Sequence, residues 1–429
     1  MTRPLNFLFT TWEGGGNVTP ALVVVRKLIA RGHCVRVMSE ACNRPESEAA
    51  GATFVEWRTA PSRKDRSRDS QTCRDWDAPT PQDALISVIR DIWCGPSLRY
   101  ARDTIDELRR EAADLVVTCE ALFGTMAACE SLGQPWATLC PNISLAPLPG
   151  VPPLGPGLPP ATTDEERQMH RQIAHACQAI FDSGLPALNA ARGAIGLGPL
   201  EHLLDQFRSA TVELLATSPA FDFPAESLPP KVRYVGPQIA DPHWAQPWQS
   251  PWPSSDARPL VGVGFSTTFQ GHTRVLQNVV DALATLPVRT LVTLGGSIRP
   301  DEIRAADNCV VVDSAPHSQV MRQSALFVTH GGHGTVMNGV LARVPLLIIP
   351  HGRDQNDNAV RITARGAALS LTPDAPVESI RAACHRLLTD PAFKAAATRL
   401  GDRVAADAQH STVVHELESA ARGAKTAAA

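Results

Sequence analysis

Between Thr329 and Ala359 the chain reads THGGHGTVMNGVLARVPLLIIPHGRDQNDNA, with five glycines, three histidines and an Asp-Gln pair around the apolar run VPLLIIP. HGGHGT follows the β-prone run ALFVT and leads into a helix beginning near Thr335. Gly331, Gly332 and Gly334 remove Cβ clashes, so backbone N–H groups at a helix N-terminus can approach an anion closely. Thr335 adds a hydroxyl donor and His330 an imidazole N–H, a set that suits a phosphate or diphosphate. After VPLLIIP, Asp354 and Gln355 open the next helix, and an acid beside an amide offers both acceptors and donors to adjacent sugar hydroxyls. His330, His333, His351 and Asp354 could alternatively form a metal set. Their spacing brackets a glycine turn rather than lying on one helix face, which argues against a metal. The isolated VGVG of Val261–Gly264 is too weak a signal for dinucleotide binding.

The elements that must position these residues alternate β and α. LNFLFTT (Leu5–Thr11) is followed by a glycine triplet, a helical pattern in TPALVVVRKLIARG and the strand candidate CVRVMS. DLVVT (Asp114–Thr118), FGTMAACESLG and PWATL (Pro135–Leu139) repeat the pattern. Leu145–Pro160 is dense in Pro and Gly and reads as a loop; the acidic start TTDEE then opens a helix. Alternation resumes in LVGVGFS, HTRVLQNVVDALATL, RTLVTLGG, CVVVDS, ALFVT and VPLLIIP. The fold class is α/β, with two Rossmann-like domains whose parallel sheets face a central cleft. Residues 1–231 form the first domain, 232–259 a Pro- and Trp-rich linker, and 260–405 the second domain. Residues 406–429 form a helix crossing back, with KTAAA as a frayed tail. Trp244, Trp248 and Trp252 read as linker packing; Trp12, Trp93, Phe123 and Trp136 either line an apolar pocket or belong to the core.

Two domains suit 429 residues, because single cores rarely grow past roughly 250–300 residues. A formal net charge of −3 leaves no electrostatic footprint for nucleic acid. The ten cysteines contain no C-x-x-C pair and read as reduced core residues of a cytoplasmic protein. LNFLF is too short for a signal-peptide core, and no stretch approaches roughly 18 apolar residues, so membrane insertion is not expected.

H-G-G-x-G-T, an apolar strand and P-x-x-x-D-Q-x-x-N-A together resemble the donor-binding signature of family 1 glycosyltransferases, and the sequence resembles their bacterial natural-product and macrolide members. The resemblance is strongest over Ala315–Gly366. It extends to GGGNVTPALVVVRKLIARGHCVRV, similar to an acceptor-domain opening of the form G-H-x-x-P, helix, R-G-H-x-V. It implies a GT-B fold and an inverting transfer from a nucleoside-diphosphate sugar, without metal or other cofactor. By position, His330 would bond the donor diphosphate, with Gly332, Gly334 and Thr335 lining it. Asp354 and Gln355 would hold the sugar, Ser266 and Thr267 would contact phosphate or sugar, and Ala315–His317 would border the nucleobase. Asn338 stands where plant members carry a ribose-binding Glu.

One position departs from the pattern. Asn17 occupies the place of the family's general-base histidine, and Cys119 or Glu120 that of its Asp partner. Asn17 is also well suited to cap a helix. An amide cannot take a proton near neutral pH, which leaves three readings. Glu13 or Glu120, both at strand ends facing the cleft, replaces the histidine; the acceptor is acidic enough to need little help; or transfer has been lost.

The expected function is transfer of a sugar, glucose in the first place, from a UDP- or dTDP-sugar to a hydrophobic small molecule such as a phenol or polyketide. The enzyme would act as a monomer or homodimer. The alternatives are a non-catalytic sugar-nucleotide-binding homologue, or a nucleotide-sugar epimerase or hydrolase on the same scaffold.

Overall fold

A computed structural model describes residues 3–428 apart from Gly15, Trp244, Gln246 and Pro247. The centre of the glycine triplet and the packing expected of Trp244 therefore lie outside the described residues. The first sheet contains β1 (Asn6–Thr10), β2 (Cys34–Ser39), β3 (Thr53–Glu56), β4 (Leu115–Thr118), β5 (Trp136–Cys140), β6 (Val212–Leu215) and β7 (Val232–Tyr234), in the order 3-2-1-4-5-6-7. The second contains β8 (Leu260–Gly264), β9 (Arg289–Thr293), β10 (Cys309–Val312), β11 (Ser324–Thr329), β12 (Leu346–Ile348) and β13 (Ala368–Ser370), in the order 10-9-8-11-12-13. Every strand pairing among the described residues is parallel.

The apolar runs are nearly continuous because helices cover both faces of each sheet, and the two-residue period of a strand then divides each run between two cores. In the first sheet Phe7, Phe9, Leu115 and Val117 pack with Leu22, Val25 and Leu28 of the helix Val18–Ala30. The intervening Leu8 and Val116 join Phe123 and Trp136 on the other face. In the second sheet Leu326 and Val328 lie on one side and Phe327 on the other.

Several boundaries differ from the sequence reading. Residues 232–234 pair with β6 as the last strand of the first sheet, so the connection between domains starts after Tyr234. Trp248 and Trp252 pack against the second domain. The helix after the glycine turn begins at His333, and the strand in VPLLIIP is only Leu346–Ile348. The helix Pro391–Gln409 passes through the boundary expected at 405; the crossing helix is Val413–Ala428, and it takes in most of KTAAA. Its Val413, Leu417, Ala420 and Ala421 complete the first domain's core. Seven cysteines are buried, but Cys34 is exposed and Cys73 and Cys177 are half-buried, so three are not core residues. Among the described residues no helix is long and apolar enough to cross a membrane.

Each sheet reverses its strand order once, between β1 and β4 in the first and between β8 and β11 in the second. Chains leaving neighbouring strands on opposite sides of such a point open a crevice at the strands' carboxyl ends, where ligands collect in open α/β sheets.

Candidate functional site

The loops at the two reversal points line one cleft of about 360 Å³ between the domains, within the usual range for small-molecule sites. The residues proposed from the sequence as general base or donor contacts line it: Glu13, Asn17 and Glu120 from the first domain; Ser266, Thr267, His317, His330, Gly332, Gly334, Thr335, Asp354 and Gln355 from the second. Gly331, His351 and Cys119 do not. How each is held decides what it can do.

On the second domain's side of the cleft, Gly331 takes φ +96° and Gly332 caps the helix His333–Leu341. The first intrahelical bond runs from the Val336 N–H to the Gly332 carbonyl, which leaves the N–H groups of His333, Gly334 and Thr335 as the helix's open donors. A Cβ on Gly332 would stand 2.6 Å from His330 Nε2, so glycine is what lets the imidazole lie against the turn. Burial holds His330 well below the usual imidazole pKa, with His272, His351 and the Arg353 guanidinium adding to the effect. His317 is pushed down to about 4, also by burial, and its Nε2 lies 3.0 Å from Thr293 Oγ1. The rings that His317 and His330 turn to the cleft are therefore neutral: they can offer a dipole but no charge.

Ser266 Oγ accepts from the Thr268 N–H (3.1 Å) and from Gln270 Nε2 (2.8 Å). Gln355 is engaged at both ends: its Oε1 accepts the His351 N–H at 2.7 Å and its Nε2 donates to Gln270 Oε1 at 2.8 Å. The amide expected to hold a sugar thus ties the loop after β12 to the loop after β8. Asp354 Oδ2 accepts from Asn358 Nδ2 (2.6 Å) and from Asn142 Nδ2 (2.7 Å), the latter reaching across from the first domain. Asn338 lines the cleft while donating to its own helix at the Gly334 carbonyl. Among the described residues no group of three or more metal-ligating side chains forms, so His330, His333, His351 and Asp354 do not come together as a metal set.

On the first domain's side of the cleft, Asn17 stands at the N-cap position of the helix Val18–Ala30, but its side chain makes no capping bond among the described residues. The two carboxylates differ. Glu13 Oε2 takes Arg66 Nε at 2.9 Å, and Arg66 also pairs with Glu46, so this carboxylate is held by a cation. Glu120 sits just past β4 beside the reversal point, with Oε2 buried and, among the described residues, without a hydrogen-bond partner. Burial raises its pKa from 4.5 to about 7; the Asp354 charge adds to the rise, while hydrogen bonds to the carboxyl group from its own backbone N–H and the Cys140 thiol oppose it. Trp12 and Trp93 line the cleft, Trp93 from the π-helical turn Ile89–Cys94 and stacked on Phe181. Phe123 and Trp136 are core, at 0% and 1% exposure.

Asn142, Gln270, Asp75 and Arg353 also line the cleft and were not singled out in the sequence. Gln270 follows β8 and was open to reading as a strand-end residue. Nothing local marks Asp75 or Asn142, whose partners lie in the other domain.

Residues 277–420 match the model of the erythromycin biosynthesis protein CIII-like C-terminal domain. The chain is 29% identical over 417 residues to 4'-demethylrebeccamycin synthase of Lentzea aerocolonigenes, covering 93% of this chain and 95% of that one. Its fold matches the glycotransferase of kitacinnamycin (TM-score 0.75, 18% identity, 98% and 100% of the two chains). It also matches the calicheamicin glycosyltransferase CalG4 (TM-score 0.74, 20% identity, 98% of both). With two parallel-sheet domains closing on a cleft that ends in HGGHGT and Asp-Gln, the chain has the GT-B fold and is similar to glycosyltransferases of antibiotic biosynthesis.

Proposed function

We propose that this enzyme attaches a hydroxyl-rich hexose, glucose in the first place, to a phenolic or polyketide-like acceptor with inversion, and that Glu120 is the general base. The observation that carries this reading is the Glu120 carboxylate: one oxygen buried in the cleft without a partner, and a pKa of about 7. Such a group is half ionised at neutral pH and still basic enough to take a proton, the balance a general base needs.

The acceptor's apolar body would lie against Trp12 and Trp93. Its hydroxyl proton passes to Glu120 as the oxygen attacks the anomeric carbon, and the bond from that carbon to the diphosphate breaks on the opposite side. The helix N-terminus at His333–Thr335 and the neutral His330 receive the departing charge, which is electrostatic stabilisation by groups already in place. Asp354 accepts from a sugar hydroxyl. A phenol, with a pKa near 10, is only about three units above such a base, whereas an alkanol is many units further; this favours phenolic acceptors.

The test is nucleotide release from UDP-glucose and dTDP-glucose, with and without a panel of phenols and polyketides, with the anomeric configuration of the product read by NMR. Release that depends on acceptor and gives the inverted anomer is expected. Release without acceptor would mean a hydrolase, conversion of the donor to another nucleotide sugar without release would mean an epimerase, and a retained anomer would refute the in-line displacement.

A further inference from the structure

Departure of a diphosphate develops negative charge that neutral imidazoles and N–H dipoles offset only in part. Among the residues lining the cleft the guanidinium groups belong to Arg63 and Arg353. Arg63 is spent inside the first domain, on the Glu13 carbonyl and on Ser67 and Ser70. Arg353 stands in the donor loop between Gly352 and Asp354, and it holds φ +55°, a left-handed conformation uncommon for a residue with a side chain. Backbone held this way persists where the surroundings over-determine it, often at a ligand site.

Its guanidinium is placed accordingly. Nη1 donates to Thr268 Oγ1 at 3.0 Å, and that hydroxyl lies 3.0 Å from Ser266 Oγ. Nη2 donates across the cleft to Asp75 Oδ2 at 2.7 Å, joining residues 278 positions apart. Nε is buried and finds no partner among the described residues. Asp75 and Arg353 also border a second, smaller cavity of about 50 Å³, which gives the side chain space to move. A cation one hydroxyl away from the loop expected to meet phosphate, and held meanwhile by a carboxylate of the opposite domain, is arranged to exchange one anion for another.

We propose that Arg353 binds the donor diphosphate directly and neutralises it as it leaves, and that Asp75 competes for the guanidinium until the nucleotide arrives. Arg353 then touches the leaving group, while Asp75 is a positioning residue acting through it. This inference rests on the donor site described above but not on Glu120, on the acceptor or on turnover.

The experiment is calorimetric titration with UDP and dTDP, and with uridine and thymidine as probes lacking phosphate, of the full chain and of Arg353→Asn, Arg353→Lys and Asp75→Asn. Asn is chosen because it tolerates the left-handed backbone better than most side chains, so charge is removed without added strain. Diphosphate binding is expected to weaken roughly 10- to 100-fold in Arg353→Asn, the range for losing a charged hydrogen-bonding partner, with partial recovery in Arg353→Lys. Asp75→Asn is expected to tighten diphosphate binding several-fold, and nucleoside binding should be alike in all four proteins. Unchanged diphosphate affinity in Arg353→Asn overturns the inference while leaving the transfer reading standing. Equal loss of nucleoside and diphosphate binding overturns it in favour of a structural role, and looser diphosphate binding in Asp75→Asn overturns the competition. Failure of the unaltered protein to bind either diphosphate overturns both this inference and the transfer reading.

Discussion

Glu120→Gln tests the catalytic reading and an energetic consequence of it together. The substitution keeps the size of the side chain and its polar atoms but removes the basic oxygen. General-base assistance contributes typically about 10²–10⁴-fold, so kcat/KM with a phenolic acceptor should fall within that range. In the unaltered enzyme kcat/KM should rise with pH through about 7, as Glu120 loses its proton, and that limb should vanish in the variant. The same shift fixes the sign of a stability effect. A carboxyl whose folded pKa lies above its unfolded value contributes stability that is fully present below about 4.5 and is lost as pH rises through about 7. The rise from 4.5 to about 7 corresponds to roughly 3 kcal/mol. Glutamine carries no such charge, so Glu120→Gln should match the parent's stability near pH 4.5 and exceed it by up to roughly 3 kcal/mol above pH 7. Urea denaturation at the two pH values and a pH profile of kcat/KM are the measurements. A variant that keeps its activity and its pH limb would refute Glu120 as the base, and equal stabilities at pH 8 would refute the buried-charge argument behind it.

Glu13→Gln should leave the pH limb intact, because its carboxylate is engaged by Arg66; it should instead lower stability by about 1.5–3 kcal/mol, the range for a hydrogen bond between charged groups, read by denaturation. His330→Ala should lower kcat/KM roughly 10²–10³-fold, as for loss of a donor to developing charge. Because burial keeps the ring neutral, that loss should be the same at pH 6 and pH 8 in parallel kinetics. Gly124→Ala would set a Cβ 2.1 Å from the Ser97 carbonyl oxygen, where helix Phe123–Leu132 meets helix Ser97–Arg110. About 1–3 kcal/mol of stability should be lost to overpacking, which a thermal melt of the variant would show.

The sequence by itself determined the two alternating α/β halves, the glycine turn and the Asp-Gln pair. Each is a local signal: apolar runs set strands, HGGHGT sets a turn that a side chain at Gly331 or Gly332 would block, and their order in the chain is their order in the pattern. Most strand and helix positions were legible for that reason, whereas β7 was hidden in a Pro-rich stretch because only pairing with β6 makes VRY a strand. Burial and partnership across the cleft were not legible. Glu13 and Glu120 look alike in the sequence, both acids just past a strand. The tertiary structure separates them, placing Arg66 on one and leaving an oxygen of the other buried and bare. Gln355 reads as a sugar contact until Gln270, from the loop after another strand, takes its amide. Arg353 draws no notice until Asp75 and Thr268 converge on it from loops far apart in the chain. Residue types and spacing can nominate groups for a site, but their charge state and availability depend on which neighbours exclude water and which supply a partner, and packing alone decides that.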